Sequence, residues 1–182
     1  MKDIKTISGN TEQEIWSQLE ADLFGDEVLN YAAILKLDGK EVLFYMDIDL
    51  GGGFEGGSEF MQFKAPLSIE SPFRFAIHDK GFIDVIGKFL GMQDIEIGYD
   101  DLDKHLIIKT NDEQKVRSLF TNAELRQVFT TLISFDCGIH NHSNKNHLKQ
   151  TFMELNINHS INDSAEFRKV FHAFYKLLLE IE

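Results

Sequence analysis

Val42-Leu43-Phe44-Tyr45-Met46-Asp47-Ile48-Asp49-Leu50 decides the fold class. Val42, Phe44, Met46, Ile48 and Leu50 share one parity, while Leu43, Tyr45, Asp47 and Asp49 share the other. Successive side chains of a strand point to opposite faces, so this stretch reads as a strand with one apolar face and one partly wet face. The run before it, residues 28–37, turns into it at Asp38-Gly39, a pair that tolerates the positive φ angles of a tight hairpin. Residues 60–65 and 73–78 read as two more strands, and four such strands on short loops predict an antiparallel meander.

Helical signals flank this block. Thr11-Glu12-Gln13-Glu14 is a capping box, in which the threonine hydroxyl accepts from the third amide and Glu14 reaches back. Ile15, Leu19 and Leu23 then recur at helical spacing beside Trp16, giving a helix over 11–24 that stops near Gly25. Phe82, Ile83, Val85, Ile86, Phe89 and Leu90 form a second stripe ending at Gly91. Short strands are expected at 95–97 and 105–109, around an acidic loop Asp100-Asp101-Leu102-Asp103. Two further capping boxes, Thr110 with Glu113 and Thr121 with Glu124, open helices near 112–120 and 122–131. Residues 135–139 and 151–157 predict a hairpin around a polar loop. From about 163 the chain closes on an amphipathic helix with Phe167, Val170, Phe171, Phe174, Leu177, Leu178 and Ile181 on one face, expected to pack on the sheet. The fold class is therefore α+β: a mostly antiparallel sheet of six to eight strands, helices on one face, and a long C-terminal helix.

Composition sets the class of molecule. The 182 residues, 43% of them hydrophobic, fit a single globular domain over 1–182 with a core of its own, filled in part by sixteen phenylalanines. The lone Cys137 excludes an intramolecular disulfide, and no signal-peptide run follows Met1. Together these predict a cytoplasmic protein. No stretch has the apolar length to cross a bilayer. The net charge of −12 is uneven: residues 1–60 hold thirteen acids against four Lys and Arg. Such a field repels phosphate, so nucleic acid and anionic membranes are not expected partners. A basic protein partner stays compatible with it.

Several constellations touch chemistry. Gly51-Gly52-Gly53-Phe54-Glu55-Gly56-Gly57 contains the letters of a dinucleotide fingerprint, but that motif works only where the glycine turn opens a helix, and here a strand follows. Gly52, Gly53 and Gly56 are instead read as a flexible hairpin loop that could move over a ligand. Asp47 and Asp49 point to one face about 7 Å apart, as a paired acid and base or two ligands of a hard cation would, and also as the wet side of a strand would. Asp100, Asp101 and Asp103 resemble the start of a calcium loop. Leu106 stands where its glycine belongs and Asp112 where its bidentate glutamate belongs, so a turn is expected.

His140-Asn141-His142 puts two imidazoles on one side of an extended segment, with His147 across the same polar loop and Asp136, Cys137 and His159 near in sequence. Imidazole, thiolate and carboxylate are zinc ligands, and three of them plus a water make a catalytic site. The spacing follows no standard zinc signature. Cys137 could act as a nucleophile with His140 or His105 as base, but its alternation with Phe135 and Ile139 points it into the apolar side as a buried thiol.

Ile95-Glu96-Ile97-Gly98-Tyr99-Asp100-Asp101-Leu102-Asp103-Lys104-His105-Leu106-Ile107-Ile108-Lys109-Thr110-Asn111-Asp112, followed by Val116-Arg117-Ser118-Leu119-Phe120, resembles a recurring pattern of uncharacterised bacterial domains of unknown function. In that pattern an I-x-I-G turn leads through an acidic residue and F-D to a strand ending in K-[ST]-[ND]-[DE] and then a helix. Leu102 replaces the usual phenylalanine and Tyr99 the usual acid. The resemblance implies a bacterial source and a fold unit over residues 95–120, and it carries no catalytic residue. The expected function is a non-catalytic binding or protein-interaction module without a cofactor. It would hold a small apolar ligand or a protein partner, on the concave sheet face and under the 51–57 loop, as a monomer or homodimer. The alternative is a metal-dependent hydrolase using His140, His142 and His147, with Asp136.

Overall fold

The computed structural model describes residues 4–25, 28–52, 56–67, 72–81, 92–143 and 149–182. Among them are nine strands: β1 (Lys5–Gly9), β2 (Asn30–Leu37), β3 (Lys40–Asp49), β4 (Ser58–Pro66), β5 (Phe75–Asp79), β6 (Gln93–Ile95), β7 (Leu106–Thr110), β8 (Phe135–Ser143) and β9 (Lys149–Ile157). Five helices accompany them: α1 (Glu12–Leu23), α2 (Asp100–His105), α3 (Glu113–Leu119), α4 (Ala123–Thr131) and α5 (Ser164–Ile181). The strands form one sheet in the order β1-β2-β3-β4-β9-β8-β5-β7-β6. Only β1 on β2 is parallel; every other pairing is antiparallel. The α+β class and its long C-terminal helix follow the reading of the sequence, with nine strands in place of six to eight.

The register explains why one face is sealed. Ala33, Phe44, Phe63, Leu155, Cys137, Ile77, Ile108 and Ile95 stand side by side across eight strands as one apolar row. Phe63 lies at its centre with no exposed surface. Its ring centroid is 4.9 Å from Phe44 and 5.7, 6.0 and 5.5 Å from Phe167, Phe171 and Phe174 of α5. Rings at such separations add edge and offset-stacking attraction to the area they bury. Trp16 of α1 joins the cluster 5.7 Å from Phe167, and Phe129 of α4 lies 5.6 Å from Phe135.

The differences from the sequence reading have local causes. The expected four-strand meander stops after β4, because β9 and then β8 pair in before β5. A meander and this order leave the same local pattern, and only pairing over some ninety residues tells them apart (Lys64 opposite Glu154, for example). β1 carries a single fully buried residue, Ile7, too little for a periodic signal. The acidic segment 100–103 is the start of α2 rather than a loop. Its Asp103 carboxylate accepts from the Ile97 and Gly98 amides at 2.9 and 2.8 Å, closing the turn where Gly98 takes φ +90°. Thr11 caps α1 as expected, accepting from the Glu14 amide. Asp112 and Asn122, not Thr110 and Thr121, cap α3 and α4. Thr110 instead accepts from the Asp112 amide at 3.0 Å and so sets the cap in place. The helical stripe expected at 82–91 lies outside the described residues.

Truncating Phe63 to alanine removes the ring that α5 packs on, so Phe63→Ala is expected to cost about 3–5 kcal/mol. The check is the urea midpoint at unchanged m-value; a loss below about 1 kcal/mol contradicts this packing.

Candidate functional site

The second face of the sheet begins with Lys64, Glu154, Gly138, Ala76 and Lys109, side by side across β4, β9, β8, β5 and β7. Glu154 is only 4% exposed. Its Oε1 lies 2.7 Å from Lys64 Nζ and 2.7 Å from His142 Nε2. Lys64 and His142 also meet over Phe152: the ammonium is 4.2 Å above the ring, and the imidazole packs edge-on at 5.4 Å. Burial is the largest influence on the Glu154 carboxyl and pushes its pKa up. The hydrogen bond from Lys64 and the charges of His140, Lys64 and His142 together outweigh it, so the group sits below the usual carboxylate range.

The adjoining row is a chain of amides. Gln62 donates to Asn156 at 2.6 Å, and Asn156 donates to the Asp136 carboxylate at 3.1 Å. His140 Nε2 lies 3.6 Å from that same carboxylate, and the two flank Gly138 on β8. A Cβ at Gly138 would lie 2.5 Å from the Phe75 carbonyl, so glycine lets β8 and β5 approach. Chemically this face is an ion-pair and amide network around a carboxylate held below the usual range, which can accept hydrogen bonds and hold cations of the chain.

The residues singled out from sequence fall as follows. His140 and His142 share this face, but they stand in strand β8, paired with Phe152 and Gln150, rather than in the expected loop. His147 lies outside the described residues. Among the described residues no three His, Cys, Asp or Glu side chains gather as a set for one ion. Cys137 is buried on the helix-covered face, opposite to His140 by alternation, and burial, with the Asp136 charge second, pushes its thiol pKa well above normal. His105 ends α2, its Nδ1 2.8 Å from the Asp101 carbonyl oxygen. Asp47 accepts from the Tyr45 hydroxyl at 3.2 Å, and Asp49 accepts from the Gly51 amide at 2.9 Å. Gly52 and Gly56 lie exposed between β3 and β4, while Gly53 is outside the described residues. A strand, not a helix, follows the glycines, so a phosphate-binding turn does not form.

Glu154 and Lys64 were not singled out by the sequence, since in isolation each is one polar residue at a wet-face parity. Nor was the cavity on the helix side. β3 carries the buried Met46 and the half-buried Ile48 on its apolar parity, and the exposed Leu50 follows just past its end, while α1 stops at Leu23 and the first buried residue of α5 is Phe167. The gap is a chamber of about 330 Å³ walled by Leu23, Phe24, Val28, Leu29, Met46, Ile48, Met61, Ile161 and Phe167, with Leu50, Glu59, Ser160 and Asn162 completing it. It adjoins a polar vestibule of about 640 Å³ lined by Asp49, Leu50, Gly57, Ser58, Glu59, Phe60 and Asn158. A larger groove, about 750 Å³, runs between α4 and α5, but its rim alternates Glu12, Glu124 and Glu166 with Arg168, Lys169 and Lys176, as a solvated helix face does. There His172 Nδ1 meets Glu12 Oε2 at 2.6 Å and ties α5 to α1.

Compared with known protein families, curated proteins and solved structures, the chain matches none of them. Among the described residues, no helix is long and apolar enough to cross a membrane.

The depressed Glu154 pKa fixes the sign of a pH effect. The pair's contribution is fully present above the ordinary glutamate value and drains away as pH falls through the folded-state value. The wild type is therefore expected to lose its stability advantage over Glu154→Gln on acidification from neutrality to below pH ~4. Urea midpoints that fall in parallel for both proteins contradict the pairing.

Proposed function

We propose that this chain is a binding domain, not an enzyme, and that it holds a small apolar ligand in the chamber at the end of β3 and β4. The observation that carries this reading is the wall itself: nine apolar side chains around about 330 Å³, at the lower end of the volumes that small-molecule sites occupy. The location adds support. The chamber opens beside the β3–β4 glycine segment, where Leu50, 66% exposed, stands at its lip and belongs to the vestibule as well. A large apolar side chain left this wet is well placed to close over an apolar guest. The ligand therefore enters on the helix-covered side of the sheet. A cytoplasmic setting accords with the unpaired thiol of Cys137.

A second reading, a metal-dependent hydrolase, draws on His140 and His142 sharing one face with Asp136 and Glu154. Elemental analysis of tag-free protein separates the two, since near-stoichiometric zinc supports the hydrolase and contradicts the binding domain.

The direct test is titration with a neutral fluorescent probe, N-phenyl-naphthylamine. Saturable enhancement at one dye per chain is expected. Ile48→Trp, which fills the chamber, abolishes it, while Ile133→Ala, at an exposed site after α4, leaves it unchanged. An absence of saturable binding, or binding indifferent to Ile48→Trp in folded protein, contradicts the proposal.

A further inference from the structure

Going one step beyond the chamber, and resting on its being a ligand site, we infer that its occupant is an amphiphile with a protonated amine head and a hydrocarbon body. The register places the change of polarity. On β4 the helix-side parity runs Met61 and then Glu59, opposite Met46 and Ile48 of β3. The strand that walls the chamber with Met61 thus delivers a carboxylate to its mouth one position further along the same face. Glu59 lines both the chamber and the vestibule, so any molecule with its body in the first and its head in the second passes that carboxylate.

Its charge state is settled by its neighbours. Glu59 Oε2 accepts from the Ser160 amide at 2.6 Å, and that bond, with the Ser160 hydroxyl and the charge of His159, holds the group below its ordinary pKa against the opposing effect of burial. Asp49, opposite Ser58 on the other parity, also lines the vestibule, its carboxylate engaged by the Gly51 amide. Among the described residues lining either space there is no Lys or Arg. An anionic head such as a fatty-acid carboxylate or a phosphate would meet the Glu59 carboxylate at the mouth, whereas an ammonium group meets complementary charge at the point where the walls stop being apolar. The lip is also fixed from the far side. A Cβ on Gly57 would lie 2.4 Å from the Asp49 carbonyl oxygen and 3.0 Å from the Leu50 carbonyl carbon, so this glycine seats the backbone that presents Asp49 and Leu50.

The experiment is calorimetric titration of the full chain with octylamine, octanol and octanoate at low salt, on wild type, Glu59→Gln, Gly57→Ala and Ile48→Trp. Octylamine is expected to bind roughly fivefold to tenfold more tightly than octanol, and octanoate weakest of the three. Glu59→Gln brings the amine down towards the alcohol without weakening the alcohol; Gly57→Ala weakens both; Ile48→Trp abolishes all binding. Octanoate binding as tightly as octylamine overturns the inference, as does an amine preference that survives Glu59→Gln. Amine binding that survives Ile48→Trp also overturns it, because it marks association with the acidic surface at large. If octanol binds and the amine is no better, the head-group assignment fails while the apolar chamber stands. If none of the three binds, the chamber reading itself fails.

Discussion

Everything in this molecule leans on the contact between Phe63 and the three phenylalanines of α5. A mixed sheet of nine strands has two faces to satisfy, and this cluster settles which is dry. Once Phe63 is committed to α5, the period-two geometry of strands commits Phe44, Leu155, Cys137 and Ile77 to the same side, because a one-residue slip would turn every one of them outward. The cysteine is thereby buried beyond reach of His140. The second face inherits every polar residue of opposite parity, Lys64, Glu154 and Asp136 among them.

That second face shows how buried charge is managed within a sheet. Glu154 loses water on folding, which by itself would favour the neutral acid. It stays ionised because Lys64 stands opposite on the neighbouring strand and His142 leans in over Phe152. Pairs of this kind seldom add much net stability, but leaving one partner alone is costly, and so they penalise wrong registers of β4 on β9. The chamber lies at the other end of β3 and β4. Strands long enough to carry that pairing outrun the helices that cover them.

Much of the fold was legible in the sequence, for identifiable reasons. Strong alternation at 42–50 and the long stripe from Phe167 to Ile181 are local patterns, and both elements stand where those patterns put them. The Thr11 cap was readable for the same reason. What escaped is non-local. The insertion of β9 and β8 between β4 and β5 depends on partners far apart in the chain, and a two-sided strand such as β8 hides His140 and His142 in what reads as a polar loop. The apolar chamber escaped because it is a matter of where elements end. Met46, Ile48 and Leu50 announce an apolar face, but only the positions of Leu23 and Phe167 reveal that its last part lacks a lid. Glu59 escaped for a related reason: a lone acid on an alternating strand signals nothing until the strand opposite shows that it faces the apolar walls.

Native-state amide hydrogen exchange tests the central packing most directly. If α5 and the middle strands form one cooperative unit around Phe63, the amides of β4, β9 and β8 and those of α5 near Phe171 should exchange together, at the free energy of global unfolding, while β1 and β6 at the sheet edges open sooner. Exchange in α5 that runs orders of magnitude ahead of β4 and β9 would mean that the helix does not seal the sheet, and the account built on that contact would be wrong.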